Sequence, residues 1–150
     1  MTIDLAYAEA IDIAAPVEKV FSHRLDFMNL PGYMDQCSNI RRVDNGAAPG
    51  PGADYRFDLT IEGMGQMEAF ITILEVDPPK RIIFDTGSAG MGGRETSTFT
   101  ELPDGGTHVE FAFRMELPDE AKDGVSFIED SGRASFRNEL VGLKKLMEGT

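Results

Sequence analysis

The sequence predicts a single α+β domain spanning residues 1–150. Its length and its 41% content of apolar residues match one ordinary globular domain with one core. Several segments alternate apolar and polar residues with the period of two that is typical of half-buried strands. After Pro118 the apolar residues recur at spacings of three and four, which indicates a helix. The predicted order is one strand, two short helices, about six further strands and one long helix.

The first strand is predicted over residues 3–13, where the odd positions are apolar except for Glu9. Ala15-Pro16 ends this strand, and a proline is compatible with the first turn of a helix because its missing N–H needs no partner there. A short helix is therefore expected from Pro16 to Leu25. Residues 26–36 contain Pro31-Gly32 and no clean period, which favours a second, irregular helical segment.

The central part of the chain predicts strands that pair as hairpins. Apolar residues alternate from Tyr55 to Ile61, and a three-residue loop at residues 63–65 would place Leu59 opposite Ala69. A two-residue loop is rejected because it would oppose Leu59 to a glutamate. The glycine-rich segment Gly87–Gly93 lacks the ending of a phosphate-binding loop, and we interpret it as a mobile lid.

The strand over residues 94–102 has two possible registers against the alternating strand Thr107–Leu117. A simple loop at Pro103–Gly106 would turn Arg94 and three threonines inward, whereas a glycine bulge would turn inward Glu95, Ser97 and Phe99. The bulge is favoured because it buries Phe99.

The long C-terminal helix is predicted to begin after a cap at Asp119 and to end at Gly149. Its inward stripe consists of Val125, Ile128, Gly132, Phe136, Leu140, Leu143 and Met147. Gly124 and Gly132 weaken its first half by about 1 kcal/mol each relative to alanine, so a bend is expected there.

Charge and composition exclude several function classes. The formal net charge of -12 repels nucleic acid and anionic membranes, and no apolar run is long enough to span a bilayer. The only two histidines, His23 and His108, form no spaced cluster with other ligands, so no metal is expected. A lone cysteine, Cys37, and an N-terminus without a signal-peptide pattern favour the cytoplasm.

Five local motifs resemble, in their order along the chain, a known superfamily. They are Ile11–Phe21, Asp26 with Leu30–Tyr33, Gly50–Arg56, Glu75–Ile82 and Gly105–Thr107. Together they resemble the START, polyketide-cyclase/dehydrase and pollen-allergen (SRPBCC) superfamily, and most closely its bacterial polyketide-cyclase-like branch. The resemblance implies a helix-grip fold, in which a curved seven-stranded antiparallel β-sheet wraps around the long C-terminal α-helix, with two short helices after strand 1.

The resemblance also implies an apolar cavity between sheet and helix, and hence a small hydrophobic ligand such as a polyketide, lipid or isoprenoid. No cofactor is expected, and the protein would be a monomer or a homodimer. One alternative is a cyclase/dehydratase-type enzyme using the same cavity, and another is a protein-partner module of the heat-shock-ATPase-activator type. The expected ligand-binding residues are Tyr33, Met34, Tyr55, Phe57, Leu59, Met67, Ile71, Phe84, Met91, Phe111, Phe113, Ile128, Ser131, Gly132 and Phe136.

The enzyme alternative needs polar groups that point into an apolar cavity. The candidates are Glu9, Tyr55, Arg94 and Glu95, with the last two depending on the register of residues 94–102. A desolvated carboxylate has a raised pKa and can exchange protons near neutrality. An arginine or a tyrosine can polarise a ligand carbonyl, which an aldol cyclisation or a dehydration requires.

Overall fold

One antiparallel sheet of seven strands forms the frame of the computed structural model, which describes residues 1–46, 48–88 and 90–149. The strands are β1 (Thr2–Ile13), β2 (Cys37–Arg42), β3 (Asp54–Ile61), β4 (Gly65–Asp77), β5 (Arg81–Ser88), β6 (Met91–Glu101) and β7 (Thr107–Pro118). The helices are α1 (Val17–Leu25), α2 (Val125–Glu148) and two 3₁₀ helices, Phe27–Gly32 and Asp119–Gly124.

The strand order β1-β7-β6-β5-β4-β3-β2 places the first and the last strand of the chain side by side. The two short helices fill the connection between β1 and β2, which lie at opposite edges of the sheet. The curved sheet surrounds α2, as the helix-grip fold requires, so the predicted fold class is confirmed. Lys144 and Arg133 of α2 fix the helix to β1 by donating hydrogen bonds to the backbone carbonyls of Asp12 and Ala8, respectively.

The core lies where α1 and the first 3₁₀ helix cover the inner face of the sheet. Alternation along each strand turns one set of side chains inward, and these sets are mostly apolar, with Glu95 and Ser97 of β6 as buried polar members. The Phe27 ring meets Phe84 edge to face, with the ring centroids 4.8 Å apart, and it contacts Tyr55 in the same way. Burying each such side chain contributes about 1.5–3 kcal/mol to folding.

The two predicted hairpin registers have different outcomes. Between β6 and β7, Glu95 pairs with Phe113 and Phe99 pairs with Val109, so the glycine-bulge register is confirmed. Gly105 makes it possible, because its φ of +87° lies in the left-handed region that the turn requires. Between β3 and β4, Leu59 opposes Met67 and not Ala69, because the turn residues are 62–64. This shift by two residues leaves the inward face unchanged.

Two segments differ from the prediction in their local structure. Gly87–Gly93 was expected as a mobile lid, but Gly87 pairs with Gly92 within the β5–β6 hairpin; Ala89 lies outside the described residues. Asp119 does not cap the long helix, since residues 119–124 form the second 3₁₀ helix and α2 begins at Val125 without a side-chain cap. Gly149 ends α2, as predicted.

Candidate ligand cavity

A cavity of about 420 Å³ lies between the inner face of the sheet and the first half of α2. Side chains from β3, β4 and α2 make most of its wall apolar, and it opens beside Met64, Met91 and Phe127. These three side chains are exposed on the surface, which marks the mouth of the cavity. Gly132 is needed opposite Tyr7, because a Cβ at that position of α2 would overlap the tyrosine hydroxyl.

The structure divides the expected ligand-binding residues into two groups. Those that line the cavity are Met34, Phe57, Leu59, Met67, Met91, Phe113, Ile128, Ser131, Gly132 and Phe136. Those that lie outside its lining are Tyr33, Tyr55, Ile71, Phe84 and Phe111, all of them buried in the core. Phe27 of the first 3₁₀ helix contacts Tyr55 and Phe84, and Arg24 of α1 contacts Phe111.

A buried ion cluster separates the cavity from this packed core. Arg24 of α1 is only 1% exposed, and its guanidinium bonds two carboxylates. Its Nη2 lies 2.8 Å from Oε2 of Glu95 on β6, and its Nη1 lies 3.0 Å from Oε1 of Glu139 on α2. The two carboxylates line the cavity, whereas Arg24 does not. The wall of the cavity is therefore acidic at this end.

Four further neighbours hold the Arg24 side chain in place. Its Nη1 donates to the Tyr33 hydroxyl at 3.2 Å, and its Nε donates to Oγ of Ser97 at 3.3 Å. The guanidinium carbon lies 3.9 Å from the centroid of the Phe111 ring, within the range of a cation–π interaction, and also lies over Phe27. These contacts explain why Tyr33 and Phe111 are absent from the cavity wall.

Burial shifts the protonation of the cluster. It raises the pKa of Glu95 to about 8, because desolvation and the neighbouring Glu139 outweigh the attraction of Arg24. The pKa of Glu139 is raised for the same main reason, its burial. Burial also raises the pKa of Tyr33 to about 12. One guanidinium thus faces two carboxyls. Near neutral pH the two carboxyls, Glu95 and Glu139, together retain one proton.

Each carboxyl uses only one oxygen in binding Arg24. Oε1 of Glu95 and Oε2 of Glu139 accept no hydrogen bond from the residues that the structure describes. Neither oxygen is sealed from the cavity space, in contrast to the two fully enclosed and unpaired polar atoms of the described chain, which belong to His23 and Tyr55. Acceptor atoms are therefore available to a molecule in the cavity.

The four candidate catalytic residues lie in four different environments. Glu95 lines the cavity. Glu9 lies outside its lining, where it pairs with Arg133 and Arg137 of α2. Arg94 is turned outward by the register of β6 and pairs with Asp85, and Tyr55 is buried in the core. The structure thus brings none of these four together.

Arg24 and Glu139 were not among the residues predicted for the site. Both lie on inward helical stripes, since Arg24 follows Phe21 by three positions and Glu139 follows Phe136 by three. A charged residue on an otherwise apolar stripe was the available signal. Five further polar residues of the wall were also missed: Tyr7, Gln36, Thr86, Ser88 and Ser135. Ser135 donates a hydrogen bond to Gln36 at 3.0 Å.

The described residues contain neither a metal-binding cluster nor a helix that could cross a membrane. In the ranges 1–46, 48–88 and 90–149, no group of three or more His, Cys, Asp or Glu side chains is placed to hold a metal ion. No helix in that part of the chain combines the length and the apolar character that crossing a membrane requires.

A family model described as "Polyketide cyclase / dehydrase and lipid transport" matches residues 5–148. The chain belongs to this family. The match confirms the bacterial polyketide-cyclase-like branch of the superfamily. No curated protein matches the chain in sequence.

Solved structures from three bacteria share the fold at low sequence identity. A Thermus thermophilus protein, TTHA0849, superposes with a TM-score of 0.78 at 19% identity, covering 94% of this chain and 95% of its own. The Zhui aromatase/cyclase of a Streptomyces species also reaches 0.78, at 12% identity, with 97% and 94% covered. A conserved Geobacillus kaustophilus protein reaches 0.77 at 17% identity, with 95% of both chains covered.

Proposed function

We propose that the protein binds one small hydrophobic molecule, of polyketide, lipid or isoprenoid type, in the cavity between the sheet and α2. The observation that carries the proposal is the cavity itself. Its volume of about 420 Å³ lies within the roughly 300–1,000 Å³ of small-molecule sites, and its wall is mostly apolar. The family to which the chain belongs includes lipid transport in its description, which supports the same interpretation.

The wall is also suited to ligands of differing shape. Five methionines line the cavity: Met34, Met64, Met67, Met91 and Met115. Methionine side chains are unbranched and flexible, so they adapt to irregular apolar surfaces better than leucine or isoleucine. Two of them, Met64 and Met91, are exposed beside Phe127 at the mouth, where an apolar molecule would enter.

Native mass spectrometry of the purified protein, followed by thermal-shift screening, tests this proposal. A bound ligand stabilises the folded state by about 2.7 kcal/mol at one hundred times its Kd, so active compounds raise the Tm with concentration. Ala69→Leu places extra carbons in the cavity and should abolish these shifts. Ala134→Leu is the matched control, because Ala134 is exposed on α2 and does not line the cavity.

Either of two results would refute the proposal that the cavity binds a ligand, which we call the container proposal. One is the absence of any copurified mass and of any Tm shift across fatty acids, aromatic polyketides and isoprenoids. The other is binding that survives Ala69→Leu undiminished, which would place the ligand elsewhere on the molecule. The first result would favour a protein-partner module.

A second candidate is a cyclase/dehydratase-type enzyme, favoured by one observation. The cavity wall carries a carboxyl, Glu95, with a pKa raised to about 8 by burial. Such a group gives and takes protons near neutral pH, which is the requirement of general acid–base catalysis. Arg24 fixes its orientation from behind, so Glu95 would be the catalytic residue and Arg24 a positioning residue.

Turnover of a bound polyketide-like compound separates the two candidates. In the enzyme, Glu95→Gln should lower kcat by about 10²-fold or more while the Kd changes little. In a carrier there is no turnover to lose. Turnover unchanged in Glu95→Gln would remove this residue from the mechanism.

A further inference from the structure

The acidic end of the cavity defines which polar group the ligand carries, on the assumption that the cavity binds a ligand as proposed above. Glu95 and Glu139 have side chains that are 6% and 8% exposed, so both are more than nine-tenths buried. Each directs one oxygen at Arg24 and leaves the other without a partner among the described residues. Both free oxygens are open to the cavity space, so a ligand that supplies donors can bond to them directly.

No positive charge is available on the wall of the cavity. Among the described residues that line it there is no lysine, arginine or histidine. Arg24 lies behind the two carboxylates and is engaged with both of them, with Tyr33 and with Ser97. The remaining polar side chains of the wall are uncharged: Tyr7, Gln36, Thr86, Ser88, Ser131 and Ser135. Above the pKa of Glu95, which burial raises to about 8, the two carboxylates outnumber the one guanidinium, so an anionic ligand would meet a net negative charge.

We propose that the ligand is amphipathic, with its apolar part toward Met64 and Phe127 and a head group that donates hydrogen bonds to Glu95 and Glu139. The head group is an alcohol, a phenol or a protonated amine. A carboxylate head, as in a fatty acid, is disfavoured where both carboxyls are ionised.

Three ligands with the same alkyl chain test this proposal: decanol, decylamine and decanoate. Their Kd values are measured near pH 9, above the pKa of about 8 of Glu95, where an alkylamine is still protonated. We expect decanoate to bind at least about tenfold more weakly than either of the others, because like charges repel strongly in a desolvated site. Near pH 6 the carboxyl pair holds a proton, and the difference should shrink.

Other titratable groups near the pair do not change charge over this range. The pKa values of Tyr33 and Cys37 are each raised to about 12 by burial, and that of Tyr7 is raised further. Arg24 remains charged, since Tyr33 and the two carboxylates outweigh the effect of its burial and raise its pKa. His23, whose ring contacts Tyr33, is the exception: burial lowers its pKa, so it is neutral at pH 9, where the three affinities are compared.

Charge-removing variants show which carboxylates cause the difference in affinity between decylamine and decanoate. Glu139→Gln and Glu95→Gln each leave one carboxylate facing one guanidinium, so the fold keeps a neutral ion pair. Each variant should bind decylamine about tenfold more weakly and decanoate about tenfold more tightly than the wild type, with little change in the affinity for decanol. Glu9→Gln is the matched control, because Glu9 pairs with arginines outside the cavity lining, and it should change none of the three affinities.

The outcomes distinguish this proposal from the one on which it rests. The head-group proposal is wrong if decanoate binds as tightly as decylamine near pH 9, or if the glutamate variants change the Kd of all three ligands equally. Either result would leave the container proposal intact. If none of the three compounds binds at either pH, and none raises the Tm, the container proposal itself fails for alkyl ligands.

Discussion

Two ion clusters of this protein use the same chemical groups and have opposite electrostatics. Inside, one guanidinium, Arg24, serves two carboxylates. Beside β1, one carboxylate, Glu9, is served by two guanidiniums, Arg133 and Arg137. Hydrogen bonding to Arg133 lowers the pKa of Glu9, whereas burial raises the pKa of Glu95 to about 8. Stoichiometry and water access therefore decide which cluster can hold a proton near neutral pH.

The difference also reverses how each carboxylate links stability to pH. The lowered pKa of Glu9 stabilises the fold above its unfolded value of 4.5, and this stability is lost as the pH falls through the folded value. The raised pKa of Glu95 means that the folded state binds more protons than the unfolded state between 4.5 and about 8. The contribution of Glu95 to the stability of the fold is therefore most favourable below pH 4.5, and it is lost as the pH rises from 4.5 to about 8.

The largest expected effect follows from removing Arg24. Arg24→Met leaves Glu95 and Glu139 buried without their counter-ion, and we expect a loss of about 3–5 kcal/mol in the free energy of unfolding. Urea denaturation near neutral pH measures it. The loss should be smaller near pH 5, where both carboxyls are protonated at low cost.

A triple variant is the control for this prediction. Arg24→Met combined with Glu95→Gln and Glu139→Gln removes all the charges together and should recover part of the stability, because no uncompensated charge remains. A single Arg24→Met variant as stable as the wild type would show that the ion cluster does not hold α1 against β6 and α2.

A smaller effect is expected from Glu95→Gln, in the pH dependence of stability. As the pH rises from about 5 to about 8, the free energy of unfolding of the wild type should fall relative to that of the variant. The slope of this difference should be at most about 1.4 kcal/mol per pH unit. The lowered pKa of His23 contributes the opposite slope below 6.5, but it is present in both proteins and cancels in the difference. Parallel curves for the two proteins over this range would contradict the raised pKa of Glu95.

The fold was predictable because periodicity reports directly on burial. Alternation in β3, β6 and β7 and the helical stripe of α2 follow from which side chains must leave water, and these residues are local in sequence. Where a single glycine in the turn decided the register, as at Gly105, the sequence left two alternatives. The β3–β4 pairing kept its inward face although its turn lies one residue earlier than expected.

The ion cluster was not predictable in the same way. Glu95 and Glu139 lie 71 and 115 residues from Arg24, and no local pattern records that three separate elements converge. Charged residues usually face solvent, so burial of Arg24 and Glu139 was not expected, although both lie on the inward faces of their helices. Arg24 also explains why aromatic residues expected in the cavity lie outside it, since Phe111 and Tyr33 pack against its guanidinium.

The smallest effect is expected from the outer cluster. Glu9→Gln removes a carboxylate that water partly screens, and its two arginines keep other contacts, Arg133 with Glu129 among them. We expect a loss of no more than about 1 kcal/mol by urea denaturation near neutral pH, shrinking further in high salt. A loss as large as that of Arg24→Met, and insensitive to salt, would mean that the Glu9 cluster is desolvated in the folded protein. The contrast between the two clusters would then have to rest on their stoichiometry alone.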